Sequence, residues 1–367
     1  MFSLRRLLFG LGLLAAPLNA QDLVGHGGPV GALAVQGGSA LSGGFDSRAI
    51  LWDMESGTAQ QVRSFHAGNV TAVAFLPGAM LATGGQDGRI ALWAAATSAP
   101  VHATEPGPAP VSALSLSPDG SVLAAGFRNG RIMVLSLDDL TEQHEQAHQG
   151  RLTGLGYLPD GRLVSVGEDL RLNVHDPALR LVARTDLPDL PNALAIAEGR
   201  VAVAFADGSL RLFAADGRLL PERFLTDRPL IAVAAAPGVI AAAAIDGTVW
   251  VLESAALTQR FMVDAGQGPV WSLALEGNSL LTGGGDATIR RWSAVTGERL
   301  GTSASPTPDR YDDGTRGAEV WRACAVCHSL EPGDNARAGP SLHGIFDRPI
   351  ASEPGYAFSP ALRALDI

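Results

Sequence analysis

Cys324, Cys327 and His328 stand in the run Cys-Ala-Val-Cys-His, and they include the only two cysteines of the 367 residues. Two thiols three positions apart beside an imidazole can carry three kinds of chemistry. They can add across the vinyl groups of a haem while the imidazole coordinates its iron, which is the c-type attachment pattern. They can cycle as a redox dithiol, which requires the pair to open a helix after a strand, or hold half of a zinc site, which requires two further ligands at similar spacing. Neither context surrounds this pentapeptide. The spacing therefore predicts one covalent haem c on Cys324 and Cys327, with His328 as the iron ligand.

The flanks sharpen that expectation. Before the motif stands Gly317-Ala-Glu-Val-Trp321, with the glycine four residues ahead of an aromatic; after it come Gly339-Pro340-Ser-Leu-His343-Gly and then Arg348, Tyr356 and Phe358. In this order residues 313–367 resemble a class I cytochrome c. The resemblance implies a small all-α haem domain in which the Pro340 carbonyl positions His328 through its second ring nitrogen, a bond that sets ring orientation and tunes the iron. It also implies Arg348 beside a haem propionate, where a guanidinium offsets the carboxylate charge. Tyr356 and Phe358 occupy the family's aromatic pair. Phe358 stands where a tyrosine hydroxyl usually reaches a propionate, a role Tyr356 can partly take.

The family's sixth iron ligand is a methionine some tens of residues further on. Met1, Met54, Met80, Met133 and Met262 all precede the motif. The haem domain is therefore expected to be incomplete as given, with the methionine in a longer sequence. The alternatives are a five-coordinate haem or ligation by a histidine such as His343.

The elements that must carry this segment lie upstream. Arg5 and Arg6, the apolar run from Leu7 to Ala16 and Leu18-Asn19-Ala20 read as a secretory signal ending near residue 20, too short to span a bilayer. Export to the periplasm agrees with a haem that bacteria attach outside the cytoplasm. The net charge of -10 is carried by 27 basic and 37 acidic residues, every basic one an arginine. An acidic chain without a basic patch excludes nucleic acid as a partner. No other stretch reaches membrane-spanning length, and no lysine ring marks a docking face, so redox partners neutral or basic near the haem edge are expected.

Between Val24 and Leu300 a unit of about forty residues recurs, marked by Asp46, Asp87, Asn129, Asp169, Asp207, Asp246 and Asp286. A short alternating run follows each mark, as in Gly-Arg-Ile-Ala-Leu-Trp93 or Gly-Thr-Val-Trp-Val-Leu252. Alternation after such a turn reads as a hairpin strand. These repeats resemble the WD40 family, and seven of them close one all-β propeller. That family's set of histidine, hydroxyl, aspartate and tryptophan is complete as His26, Ser42, Asp46, Trp52 and as His66, Thr83, Asp87, Trp93. Repeat four keeps His148, Ser165 and Asp169 with His175 in the tryptophan place; repeat seven keeps Thr282, Asp286 and Trp292. A histidine, hydroxyl and aspartate can mimic a hydrolytic triad, but the trio recurs at matching offsets where catalysis needs one copy, so these residues read as blade staples. His102, His144 and His175 have no ligand-spaced companions.

The chain thus divides into a signal (1–20), a seven-bladed WD40-like propeller (21–300), a polar linker (301–312) and the first part of an all-α cytochrome c domain (313–367). Either Asp22-Leu23-Val24 or Glu298-Arg299-Leu300 can supply the strand that closes the ring. The leading expectation is a periplasmic single-electron carrier whose propeller docks protein partners. The alternatives are a redox-reporting scaffold, or a haem enzyme using an open sixth site on peroxide or a nitrogen oxide.

Overall fold

The computed structural model describes residues 20–302, 315–317, 321, 328–333, 340–356, 358 and 360–363. The expected signal apart from Ala20, Cys324 and Cys327, and nearly all of the expected linker lie outside them.

Seven four-stranded antiparallel sheets follow one another around a ring. Blade one shows how the sequence builds each. Its inner strand Val30–Gln36 turns at Gly37-Gly38 into Ser39–Gly44, which pairs with Arg48–Asp53, and Thr58–Ser64 lies outermost. The two middle strands are buried on both faces and read as near-continuous apolar runs, whereas the outermost strands are mostly exposed. Small residues crowd the middle: Val239–Ala244 is Val-Ile-Ala-Ala-Ala-Ala and wholly buried. Large side chains there would overfill the space between neighbouring blades.

The marker residues make the tight turns. In six blades the marker's side-chain oxygen accepts the N–H two residues on, as in Asp46 from Arg48 at 3.1 Å and Asp207 from Ser209 at 2.9 Å. Asp and Asn favour such turns because they offer the backbone this local acceptor. The next residue is left-handed. Gly208 takes φ 83° there, and a Cβ would collide with the Thr226 carbonyl. Ser47, Leu170 and Ala287 hold the same conformation without being glycine, with φ of 64°, 59° and 64°. Each costs roughly 1–2 kcal/mol, so blades one, four and seven carry turn strain that the packing around them offsets.

Every inner strand has a β-bulge immediately after its first residue, between Val30 and Ala32, Val70 and Ala72, Val111 and Ala113, and onward to Val270 and Ser272. A bulge re-aims one side chain. Thr71 and Asn192, both at bulges, donate to the carbonyls of Val111 and Leu230 on the next blade at 2.7 and 2.8 Å. Ser272 does the same to Val30 at 2.9 Å and so links the last blade to the first.

Ring closure uses both expected segments. Leu23–Val24 pairs antiparallel with Thr288 and Ile289, while Arg299 bridges Trp292 further along the same strand. Ala20–Gln21 then runs parallel to Gly301–Thr302, and Arg299 pairs with Asp22. Leu23, Val30, Ile50, Trp52, Leu281 and Ile289 form one buried cluster across the seam. Two strand ends share the edge because each is too short to cover it alone.

The expected all-α haem domain is not seen among the described residues. Positions 316, 317 and 321 are helical, and one short helix spans Pro360–Arg363; the remainder is turns and bends. No described helix is long and apolar enough to cross a membrane.

Candidate functional site

Two strands of irregular chain, 328–333 and 340–343, meet around His328. Its Nδ1 lies 2.8 Å from the Pro340 carbonyl oxygen. A carbonyl only accepts, so Nδ1 carries the proton and Nε2 the lone pair that a metal would take. The pairing is held by two further crosslinks: Leu342 N–H donates to the Ser329 carbonyl at 2.8 Å, and Ser341 Oγ donates to the Glu331 carbonyl at 2.6 Å. Ser329 and Ser341 are buried, so these bonds are shielded from water.

Arg348 stitches the following loop. Its guanidinium donates to the Ser341 carbonyl at 2.7 Å and the His343 carbonyl at 3.2 Å, and pairs with the Glu353 carboxylate. It thus fixes the backbone on which the Pro340 carbonyl is presented. His343 is exposed, with its N–H on Ser341 Oγ at 3.1 Å. Tyr356 packs edge-on against Phe358 with ring centroids 4.8 Å apart, and its hydroxyl accepts from Arg48 of blade one at 3.0 Å. Sequence reasoning did not anticipate that contact between the haem segment and the propeller.

The second constellation recurs in the blades. His26 places Nε2 2.7 Å from Ser42 Oγ and Nδ1 3.1 Å from Asp46, and Trp52 Nε1 donates to the same Ser42 Oγ at 2.8 Å. His66, Thr83, Asp87 and Trp93 repeat this at 2.8, 3.0 and 3.0 Å. Burial pushes Asp87 upward, but bonds from Ala67, Arg89 and His66 outweigh it and hold the carboxyl below its ordinary range. Each hydroxyl is enclosed by imidazole and indole with no open side for a substrate, so these sets are staples.

Blade seven completes the set with a residue the sequence reading missed. Gln267 accepts from Thr282 Oγ1 at 2.5 Å and donates to Asp286 at 3.3 Å, while Trp292 donates to Thr282 at 3.0 Å. It stands nineteen residues before its aspartate, whereas His26 and His66 stand twenty and twenty-one before theirs. A search for glutamine as well as histidine at that offset would have found it.

Blade four departs further. His175, in the tryptophan place, is buried, and its Nδ1 has no hydrogen-bond partner among the described residues. Burial, with the nearby His148 and Arg184 adding, lowers its pKa from 6.5 to about 4. The unfolded chain therefore takes up this proton first. Stability from neutral His175 is fully present above about pH 6.5 and is lost as the pH falls towards 4, a loss of about 2 kcal/mol between pH 7 and pH 5. His175→Phe should remove that part of the acid sensitivity, measured by urea unfolding at the two pH values. His66 and His148, lowered chiefly by burial, act in the same direction and stay in place.

Residues 57–94 and 100–135 match the family model described as WD domain, G-beta repeat. The repeats, the staples and the seven sheets agree with that match. The chain carries WD40 repeats in a seven-bladed propeller. A computationally designed protein, Ika8, superposes on 74% of the chain with a TM-score of 0.59 at 21% identity, covering 99% of the designed chain, a likeness of fold alone. "WD repeat-containing protein SL1-17" of Schistosoma mansoni is 30% identical over 139 residues, 37% of this chain and 46% of that protein. "Cytochrome c2" of Blastochloris viridis is 39% identical over 59 residues, 16% of this chain and 46% of that protein. "Cytochrome c" of Arabidopsis thaliana is 40% identical over 50 residues, 13% of this chain and 45% of its own length. The chain spans about half the length of the curated relatives it matches. Partial likeness to cytochromes c thus sits beside a WD40 propeller on one polypeptide.

Proposed function

We propose that this protein is an exported, periplasmic electron carrier holding one covalent haem c, with the WD40 propeller as its protein-docking platform. The observation that carries the reading is the 2.8 Å approach of His328 Nδ1 to the Pro340 carbonyl, in a histidine that immediately follows the Cys324-x-x-Cys327 pair. That bond selects the tautomer a haem iron needs and orients the ring, the second half of what a proximal ligand requires. The donor set therefore fits the group: two thiols for attachment and one basic imidazole nitrogen for iron.

When bound, the haem supplies an iron that cycles between ferrous and ferric. Cys324 and Cys327 would hold it covalently, and His328 would ligate the metal. Pro340 raises the electron density of His328 by accepting its Nδ1 proton in a hydrogen bond. Arg348 holds the loop that presents Pro340, and its engagement with Glu353 and two carbonyls makes it a brace for the ring's orientation. Tyr356 ties the same loop to blade one through Arg48. A tethered carrier gains from a platform because anything held on the propeller meets the haem at raised effective concentration. The short partial likeness to cytochromes c supports haem and electron transfer, and the repeats support protein docking.

The test is an absorption spectrum, oxidised and reduced, of the exported full-length gene product made with the haem-attachment machinery present, followed by electron exchange with a small redox mediator. A low-spin haem that survives denaturation and cycles reversibly is expected. A protein that retains no haem after denaturation overturns the reading, and turnover of peroxide by a high-spin haem replaces it with the enzyme reading.

A further inference from the structure

The bulges point their re-aimed residues at one end of the central channel, where a cavity of about 530 Å³ opens. Its lining is not symmetric. On the side of blades seven and one stand Trp271 and Phe45, both exposed, with ring centroids 6.2 Å apart. On the side of blades three and four stand Arg128 and Arg151. In a ring of seven these are opposite walls, so the mouth is aromatic on one side and cationic on the other.

Two guanidinium groups face a single carboxylate in this lining. Neither makes an ion pair or a side-chain hydrogen bond among the described residues, in contrast to Arg162, Arg180 and Arg211, each paired with a carboxylate within 2.8 Å. Glu168 is the one carboxylate in the lining, and it accepts the backbone N–H of Arg151 at 3.2 Å. Burial, followed by the like charge of Arg128, depresses the Arg151 pKa, while the charge of Glu168 acts the other way. Both side chains are exposed on the same wall of the cavity, and planar bidentate donors suit a carboxylate. Ser112 adds a further unmet donor. It occupies the bulge of blade three, where Thr71 and Asn192 on other blades staple to their neighbours, yet its buried Oγ has no partner among the described residues.

We propose that this mouth binds a peptide segment of a partner protein in which a carboxylate side chain enters between Arg128 and Arg151 and a neighbouring aromatic or large aliphatic side chain rests on Trp271 and Phe45. This deepens the reading of the propeller as a docking platform and does not depend on the haem. The specificity follows from charge: on a chain whose net charge is -10, this wall presents two arginines and one carboxylate, which favours an acidic segment there.

The test titrates the full, haem-loaded chain into a short fluorescein-labelled peptide alternating glutamate and phenylalanine, read by fluorescence anisotropy. Its glutamine–phenylalanine counterpart serves as the neutral comparison. The acidic peptide should bind, and affinity should fall about tenfold either with the neutral peptide or, for the acidic peptide, in an Arg128→Gln, Arg151→Gln double variant, with the neutral peptide indifferent to the double substitution. Both arginines reach solvent, so the double variant should keep the parent melting temperature. Equal binding of the two peptides, or an affinity unchanged by the double substitution in a protein that melts normally, overturns the proposal. Haem content and mediator reduction are read on the same samples. A chain that binds the acidic peptide but holds no haem would sink the electron-transfer reading and leave this one standing.

Discussion

Replacing both Cys324 and Cys327 by serine should abolish covalent haem altogether. After denaturing electrophoresis the parent band should stain for haem and the double variant's band should not, because serine hydroxyls do not add across the vinyl groups under the conditions that attach a thiol. Each single variant should retain a fraction through one thioether, with a red-shifted reduced spectrum from the vinyl left unsaturated. The propeller should be indifferent: its seven sheets pack through clusters that include no residue beyond Ala294. Its thermal transition should therefore coincide in parent and double variant. Equal haem staining in parent and double variant would remove the basis for haem c, and a propeller that fails to fold without haem would mean that the two regions are one cooperative unit.

Trp52→Ala should be the most damaging single change in the propeller. The indole is 1% exposed and packs against Leu23, Val30, Ile50 and Ile289 at the seam between the last and first blades, with Gly25 so close that a Cβ there would lie 2.9 Å from its ring. Truncation leaves a cavity and strands the Ser42 hydroxyl, which keeps only His26 and a long 3.4 Å approach to the Ile50 carbonyl. Large-to-small changes of this kind cost roughly 3–5 kcal/mol. For a domain of this size that lowers the melting temperature by on the order of 10 °C. Ser42→Ala, which removes only the hydrogen-bonded centre, should cost about 1 kcal/mol. Circular dichroism melts of the two variants separate these contributions. Equal losses would show that the seam is held by the polar staple and that indole packing contributes nothing.

Much of the architecture is legible in the sequence. The alternating runs after Asp46, Asp87, Asn129, Asp169, Asp207, Asp246 and Asp286 mark one strand per blade, and each of those strands is present. The rules behind that reading are local: alternation places one face inward, and an aspartate accepts the N–H two residues on. His26, His66 and His148 read as staples for a related reason, since repetition at a fixed offset speaks for structure over catalysis. The haem segment was legible in its chemistry and less so in its shape. Cys324, Cys327 and His328 name a reaction that depends on adjacency, whereas the expected all-α surroundings depend on packing, and the described residues there are mostly turns. Arg348 meets Glu353 and Tyr356 meets Arg48 in the structure, partners that no spacing rule relates.

By itself the sequence determined what is encoded within one turn, one strand or one pentapeptide: the period of the blades, the turn aspartates and the donor set for haem c. Only the tertiary structure decided how the ring closes, with Leu23–Val24 and Arg299 sharing one strand edge, how Gln267 replaces a histidine, and how Arg128 and Arg151 come to face Trp271 across the channel mouth. The reason is range. A hydrogen-bonded turn or a thiol pair is specified by neighbours in the chain, while a seam or a cavity wall is specified by residues from opposite ends of the ring, whose meeting depends on the curvature of seven packed blades.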